Sequence, residues 1–175
     1  MKIRKFLSTL LALALTAGLF AVAPITANAA NINVTSLTSD SVASLQSRIQ
    51  TAISSSGVGD TVTVTGASFD QVGSTMYLNI KAGVTVIWRI GYGCPINLDN
   101  LIELTGDGTF EVGAGGHLEI HDEGTVITGG NGINVIVRGG TVRAGGSSAI
   151  DAFYVEVRSG TVRAAGNYYT ITARI

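Results

Sequence analysis

Gly108-Thr109-Phe110-Glu111, Gly124-Thr125-Val126-Ile127, Gly140-Thr141-Val142-Arg143 and Gly160-Thr161-Val162-Arg163 are four copies of one phrase, with offsets of sixteen, sixteen and twenty positions. A short β-forming stretch that restarts at a glycine and repeats at so short a period is the sequence form of a solenoid, a unit stacked on copies of itself. Phe110, Val126, Val142 and Val162 share one phase. Because successive side chains of a strand point to opposite faces, these four are expected inside. The threonine before each, and Glu111, Ile127, Arg143 and Arg163 after them, are expected outside. The strongest match sets residues 137–145 against 157–165, where seven of nine positions are identical at an offset of twenty. The unequal offsets leave two readings open: each phrase marks a full turn, or the phrases fall on alternating faces of successive turns.

Composition agrees with many short strands. Val, Ile and Thr-rich stretches are separated by glycines, and Pro95 is the only proline after Pro24. A strand-helix-strand crossover needs a dozen or more residues of helical pattern. One segment has that pattern: Ser41 to Ser55 sets Val42, Leu45, Ile49, Ala52 and Ile53 on one face, with Asp40 or Ser39 as N-cap and Gly57 as a stop. Strands are expected at Thr61–Val64, Met76–Ile80 and Val84–Trp88, with turns at Gly57–Asp60 and Lys81–Gly83. The end of a solenoid exposes core and unpaired strand edge. The amphipathic helix laid across the first turn is therefore read as a cap.

Residues 1–29 carry an address. Lys2, Arg4 and Lys5 precede an apolar run from Phe6 to Ala23, then Pro24 and the small pair Ala27 and Ala29. This order predicts a secretory signal peptide over residues 1–29, leaving a single domain over 30–175 with a capping helix at about 41–55 and repeats at about 60–175. A retained anchor is the competing reading, since an apolar run from Phe6 to Ala23 nearly spans a bilayer. With the leader go three of the eleven basic residues, while all twelve acids stay, so the formal charge falls from -1 to -4. The mature chain is thus expected to be extracellular or at the cell surface, off the membrane, and without nucleic acid as a partner. Cys94 is the only cysteine, has no partner for an internal disulfide and reads as a small structural residue in a turn at Gly91–Pro95.

Taken together, the stretch from Leu45 to Ile53 followed by Gly59-Asp60-Thr61-Val62-Thr63-Val64, the later Ile80-Lys81-Ala82-Gly83-Val84-Thr85-Val86 and the Gly-Thr-Val phrases resemble the right-handed parallel β-helix proteins of the pectate-lyase-like kind. More specifically, they resemble the repetitive secreted or surface proteins of Gram-positive bacteria. The resemblance covers most of the chain from Val42 onward. It implies an all-β, right-handed parallel β-helix with an N-terminal capping helix. Pectate lyases of this fold gather carboxylates around calcium beside a basic residue, and hydrolases of the fold group aspartates, yet neither motif maps residue by residue onto this chain.

Charge is segregated along the sequence. Seven acids and no Lys or Arg lie between Asp99 and Glu123, whereas five arginines face two acids between Gly124 and Ile175. An acidic middle and a basic C-terminal end are expected. Arg138, Arg143, Arg158 and Arg163 are the candidate ligand-binding residues, a guanidinium surface for acidic polysaccharide or cell-wall polymer. The competing reading is a solvated row that guards a sheet against edge pairing. Asp99, Asp107 and Glu111 could meet across rungs as an acid/base pair or a calcium site, with solvated turn acids as the default. His117 and His121 read as surface histidines of a strand, about 13 Å apart and too distant to share a metal. Tyr77, Trp88, Tyr92 and the Tyr168-Tyr169 pair are candidates for stacking on sugars, with Trp88 expected in the core. Tyr168 to Ile175 reads as a last strand without a cap, a surface for self-association. No catalytic residue, cofactor or metal is assigned. The function expected is a non-catalytic structural or glycan-binding solenoid; the alternatives are a polysaccharide lyase or hydrolase on the same fold and a self-assembling surface element.

Overall fold

In the computed structural model, which describes residues 29–165 and 170–173, the chain winds as a parallel β-helix of three faces. The elements in order are β1 (Asn31–Ser36), α1 (Val42–Ser55), β2 (Thr61–Gly66), β3 (Met76–Ile80), β4 (Thr85–Trp88), β5 (Gly91–Cys94), β6 (Asn100–Gly106) and β7 (Thr109–Gly113). They continue with β8 (His117–Ile120), β9 (Thr125–Gly129), β10 (Asn134–Ala144), β11 (Ile150–Ala152), β12 (Tyr154–Ala164) and β13 (Ile171–Ala173). The first face stacks β1, β2, β4, β7 and the front halves of β10 and β12. The second stacks β5, β8 and the back halves of β10 and β12, and the third stacks β3, β6, β9, β11 and β13. Every pairing is parallel, as a chain that always winds the same way requires. Among the described residues this makes five rungs after β1 and the helix. The leader up to Asn28, together with Tyr168, Tyr169, Arg174 and Ile175, lies outside the described residues.

The register measures the rung. Thr61 pairs with Thr85, Thr85 with Thr109, Thr109 with Asn134 and Asn134 with Tyr154, so the chain advances twenty-four positions on each of the first two rungs, then twenty-five, then twenty. The last is short chiefly because Phe153 alone separates β11 from β12, where Gly130 to Ile133 separate β9 from β10. The phrase offsets now resolve. Thr109 is on the first face, Thr125 on the third, and Thr141 and Thr161 on the second, so only the offset of twenty is a rung. What the four phrases share is a corner. A Cβ on Gly108 would sit 2.7 Å from the Lys81 carbonyl oxygen and one on Gly140 2.8 Å from that of Gly113, while Gly124 and Gly160 press on the carbonyls of Leu98 and Gly140. Each glycine lets the chain turn against the backbone of the rung beneath it.

The core is a set of vertical ladders. Val62, Val86, Phe110 and Val135 are in register and fully buried, as are Tyr92, Leu118 and Val142 on the second face. Each such side chain contributes roughly 1.5–3 kcal/mol by leaving water. Trp88 lies in the core as expected, edge-on to Tyr92 at 5.4 Å, its indole nitrogen donating to the Ile90 carbonyl at 2.9 Å. Two expectations are corrected. Gly91–Cys94 is a strand, β5, because its glycines face outward and Tyr92 and Cys94 inward. Ile127 is inside, since the third face takes its inward phase from the Ile102–Ile127–Ile150 ladder, and Val126 is buried one position earlier at the corner.

Helix α1 covers the N-terminal end. Ser41 is its N-cap, forming a reciprocal capping box with Ser44, in place of the Asp40 or Ser39 expected; Ser56, before Gly57, is its C-cap. Asp40 instead accepts from the Leu37 N–H and pairs with Arg48, closing the turn before the cap. Leu45, Ile49, Ala52 and Ile53 are buried against the first rung. The opposite side of the helix contact is polar. Gln46 accepts from the Tyr77 N–H at 2.9 Å, and Gln50 accepts from the Asn79 N–H at 2.9 Å while donating to its carbonyl at 3.0 Å. Four residues of helix advance about 6 Å and two of strand about 6.6 Å, so glutamines four apart match alternate N–H groups of the terminal strand β3.

Candidate functional site

The outer surfaces of the first and second faces carry the charged residues of interest, and the register decides which of them meet. On the second face, Gly93, Glu119, Arg143 and Arg163 form one vertical row. Arg143 donates to Glu119 at 2.8 Å. On the first face, Arg138 lies 3.6 Å from Glu111 on the rung below. Arg158 grips Glu156, two positions earlier on the same strand face, through Nε at 2.7 Å and Nη2 at 2.9 Å. Arg163 stands directly opposite Arg143 and has no ion pair among the described residues. The sequence separates an acidic middle from a basic end, but the fold sets the two against each other, rung on rung.

Glu119 is the hub of this row. His117 Nε2 lies 3.0 Å and His121 Nε2 3.7 Å from the same Glu119 oxygen. His117 and Glu119 alternate along β8 and His121 directly follows it, all three on the outer side, so imidazoles whose backbones are far apart converge on the carboxylate between them. Burial pushes the Glu119 carboxyl up, but the His117 hydrogen bond and the charges of His121 and Arg143 outweigh it and hold it below the ordinary range. Sequence reasoning passes over this cluster, although its signal is present as His-x-Glu-x-His in an alternating strand. Among the described residues no group of three or more His, Cys, Asp or Glu is arranged to hold a metal ion.

The three acids considered for acid/base chemistry are not brought together. Asp99 precedes β6 and Asp107 follows it, so a seven-residue strand, about 23 Å, separates them. Glu111 faces out from β7 beside Arg138. Asp99 instead shares the corner between the second and third faces with Asp122 and Glu123, where two adjoining open clefts are lined by Asn97, His121, Glu123, Gly145 and Ser147. The aromatics divide: Tyr92 and Trp88 are fully buried and Tyr77 is exposed. Tyr92 is thereby removed as a sugar-stacking surface, its ring being needed in the core beside Trp88. Cys94 is a buried free thiol. Comparison with protein-family models, curated proteins and solved structures finds no match to this chain.

Proposed function

We propose that this chain is a secreted, non-catalytic structural solenoid whose second face holds carboxylate-bearing polysaccharide or wall polymer at Arg143 and Arg163. The observation that carries the reading is that Arg143 and Arg163 are in register on adjacent rungs, one with an acid partner and one with no ion pair among the described residues. Like charges directly opposite one another in a sheet are unfavourable, so an anion above Arg163 relieves a cost that the fold itself creates. Arg143 binds Glu119 through one nitrogen and keeps further donors for a ligand. Arg138 and Arg158 flank the row but are engaged with Glu111 and Glu156, and they contribute field more than direct contact. The basic, apolar, small-residue order of the leader supports export. No helix among the described residues is long and apolar enough to cross a membrane.

A second reading, cleavage of the polymer, draws on the corner clefts where Asp99, Asp122, Glu123 and His121 lie close together. Both are tested in one experiment. Residues 30–175 are incubated with acidic and neutral polysaccharides, with and without calcium, and retained protein and newly formed chain ends are measured in the same samples. The expected result is retention on acidic polymers alone, without new ends, weakening between about 0.01 and 0.15 M salt as the screening length falls from roughly 30 to 8 Å. Arg163→Gln should reduce retention more than Arg158→Gln. New chain ends would replace the binding reading with the enzymatic one, and equal retention on neutral polymers would remove the arginines from it.

A further inference from the structure

The two ends of the solenoid differ. At the N-terminal end, α1 covers β3 and supplies Gln46 and Gln50 to its edge. At the C-terminal end, β12 is bonded on one side to β10, and among the described residues no strand lies on its other side. The core ladders run on into this open rung. Val137 is fully buried while Val157 above it is 45 % exposed, and Ile150 is fully buried while Ile171 above it is 36 % exposed. Phe153 and Tyr154 beside them are also about half exposed. A strand edge with an apolar interior behind it is a surface built to be covered.

We propose that a second copy of this chain covers it, β12 of one copy running antiparallel to β12 of the other about a two-fold axis through Val157. Head-to-tail stacking is opposed by α1, which occupies the third-face edge where the next copy's β13 would have to dock. Among the described residues β1 is also an edge strand, but α1 closes the third face beside it, so the end whose three faces all finish in an unpaired strand is another C-terminal rung, and two identical ends meet by a two-fold axis. Charge then sets the register. Glu156 and Arg158 flank Val157 on the outer side of the strand and already lie within 2.9 Å of each other. In an antiparallel pair centred on Val157, each Glu156 faces the other copy's Arg158, giving two opposite-charge pairs across the seam with Val157 against itself. Rotation about an axis normal to the first face also lays the second face of each copy over the third face of the other. The contact is confined to one solenoid cross-section, and the dimer is expected to be reversible with a dissociation constant on the order of micromolar.

The test is sedimentation of residues 30–175 from about 1 to about 200 μM, a span that brackets micromolar association. A monomer–dimer equilibrium without larger species is expected. Glu156→Arg should raise the dissociation constant at least about tenfold, and the double swap Glu156→Arg with Arg158→Glu should restore it, since the reciprocal pairing is kept. Val157→Cys should cross-link to itself on mild oxidation, because directly opposed residues of an antiparallel pair have Cα atoms about 4.5–5.5 Å apart, within disulfide range. Circular dichroism confirms that each variant is folded. A monomer throughout, open-ended polymers, or a dimer indifferent to the charge swap in which Val157→Cys does not cross-link would each overturn the proposal.

Discussion

Tyr92 shows how a single atom can be out of balance in a well-filled core. Its ring packs against Trp88 and Phe69, but its hydroxyl is buried without a hydrogen-bond partner among the described residues, and burial pushes the phenol well above its ordinary range. Tyr92→Phe keeps the ring and removes an unsatisfied polar group, so it should stabilise the fold by about 1 kcal/mol, read as a higher urea midpoint with unchanged slope. Glu119 is the opposite case, a carboxylate surrounded by donors. Its pKa in the folded state is below the ordinary value of 4.5, so the stability it contributes is fully present above that pH and is lost as the pH falls through the lower folded value. Glu119→Gln should therefore destabilise the protein at pH 7, and denaturation midpoints of variant and parent should converge as the pH falls through that lowered folded value.

At the scale of elements, α1 acts less as a lid than as a substitute strand. Leu45, Ile49 and Ile53 fill the core side of the contact, while Gln46 and Gln50 supply the hydrogen bonds that a further strand would make with β3. The amphipathic face was legible in the sequence because apolar spacing of three and four is a local property. The role of the glutamines was not, because it depends on which strand edge lies beneath them. Replacing both by alanine should leave the helix in place and cost about 1–3 kcal/mol. Hydrogen exchange at the Tyr77 and Asn79 amides should rise ahead of that at neighbouring Leu78, and equal acceleration at all three would mean that the helix detaches as a unit.

For the molecule as a whole, the important property is the difference between its ends. A quasi-one-dimensional stack is held by contacts between neighbouring rungs, so the rung with one neighbour is the least protected. Protection from hydrogen exchange should be greatest in β4, β7 and the front of β10 and lowest in β12. If β12 is joined to a second copy, its protection alone should increase with protein concentration while that of β7 stays constant. The charge distribution belongs to this scale as well. Pairing of Glu111 with Arg138 and of Glu119 with Arg143 sets the acidic stretch of the chain against the basic one on neighbouring rungs and leaves Arg163 as a like charge above Arg143.

The solenoid, the single helix and most of the core phase were determined by the sequence alone, because glycine corners, strand alternation and helical spacing are written within a few residues of one another. The Arg143–Arg163 stack was also legible, since the two share the repeat of twenty that is a true rung. The tertiary structure decided what depends on the length of each turn. Glu119 and Arg143 are distant in the chain with no phrase in common, and they meet only because the corners and strands between them carry the chain once around. Ile127 is inside and Gly91–Cys94 is a strand for the same reason: inward and outward are set by the rungs above and below. Local pattern specifies that the chain coils, and the length of its corners specifies which side chains then become neighbours.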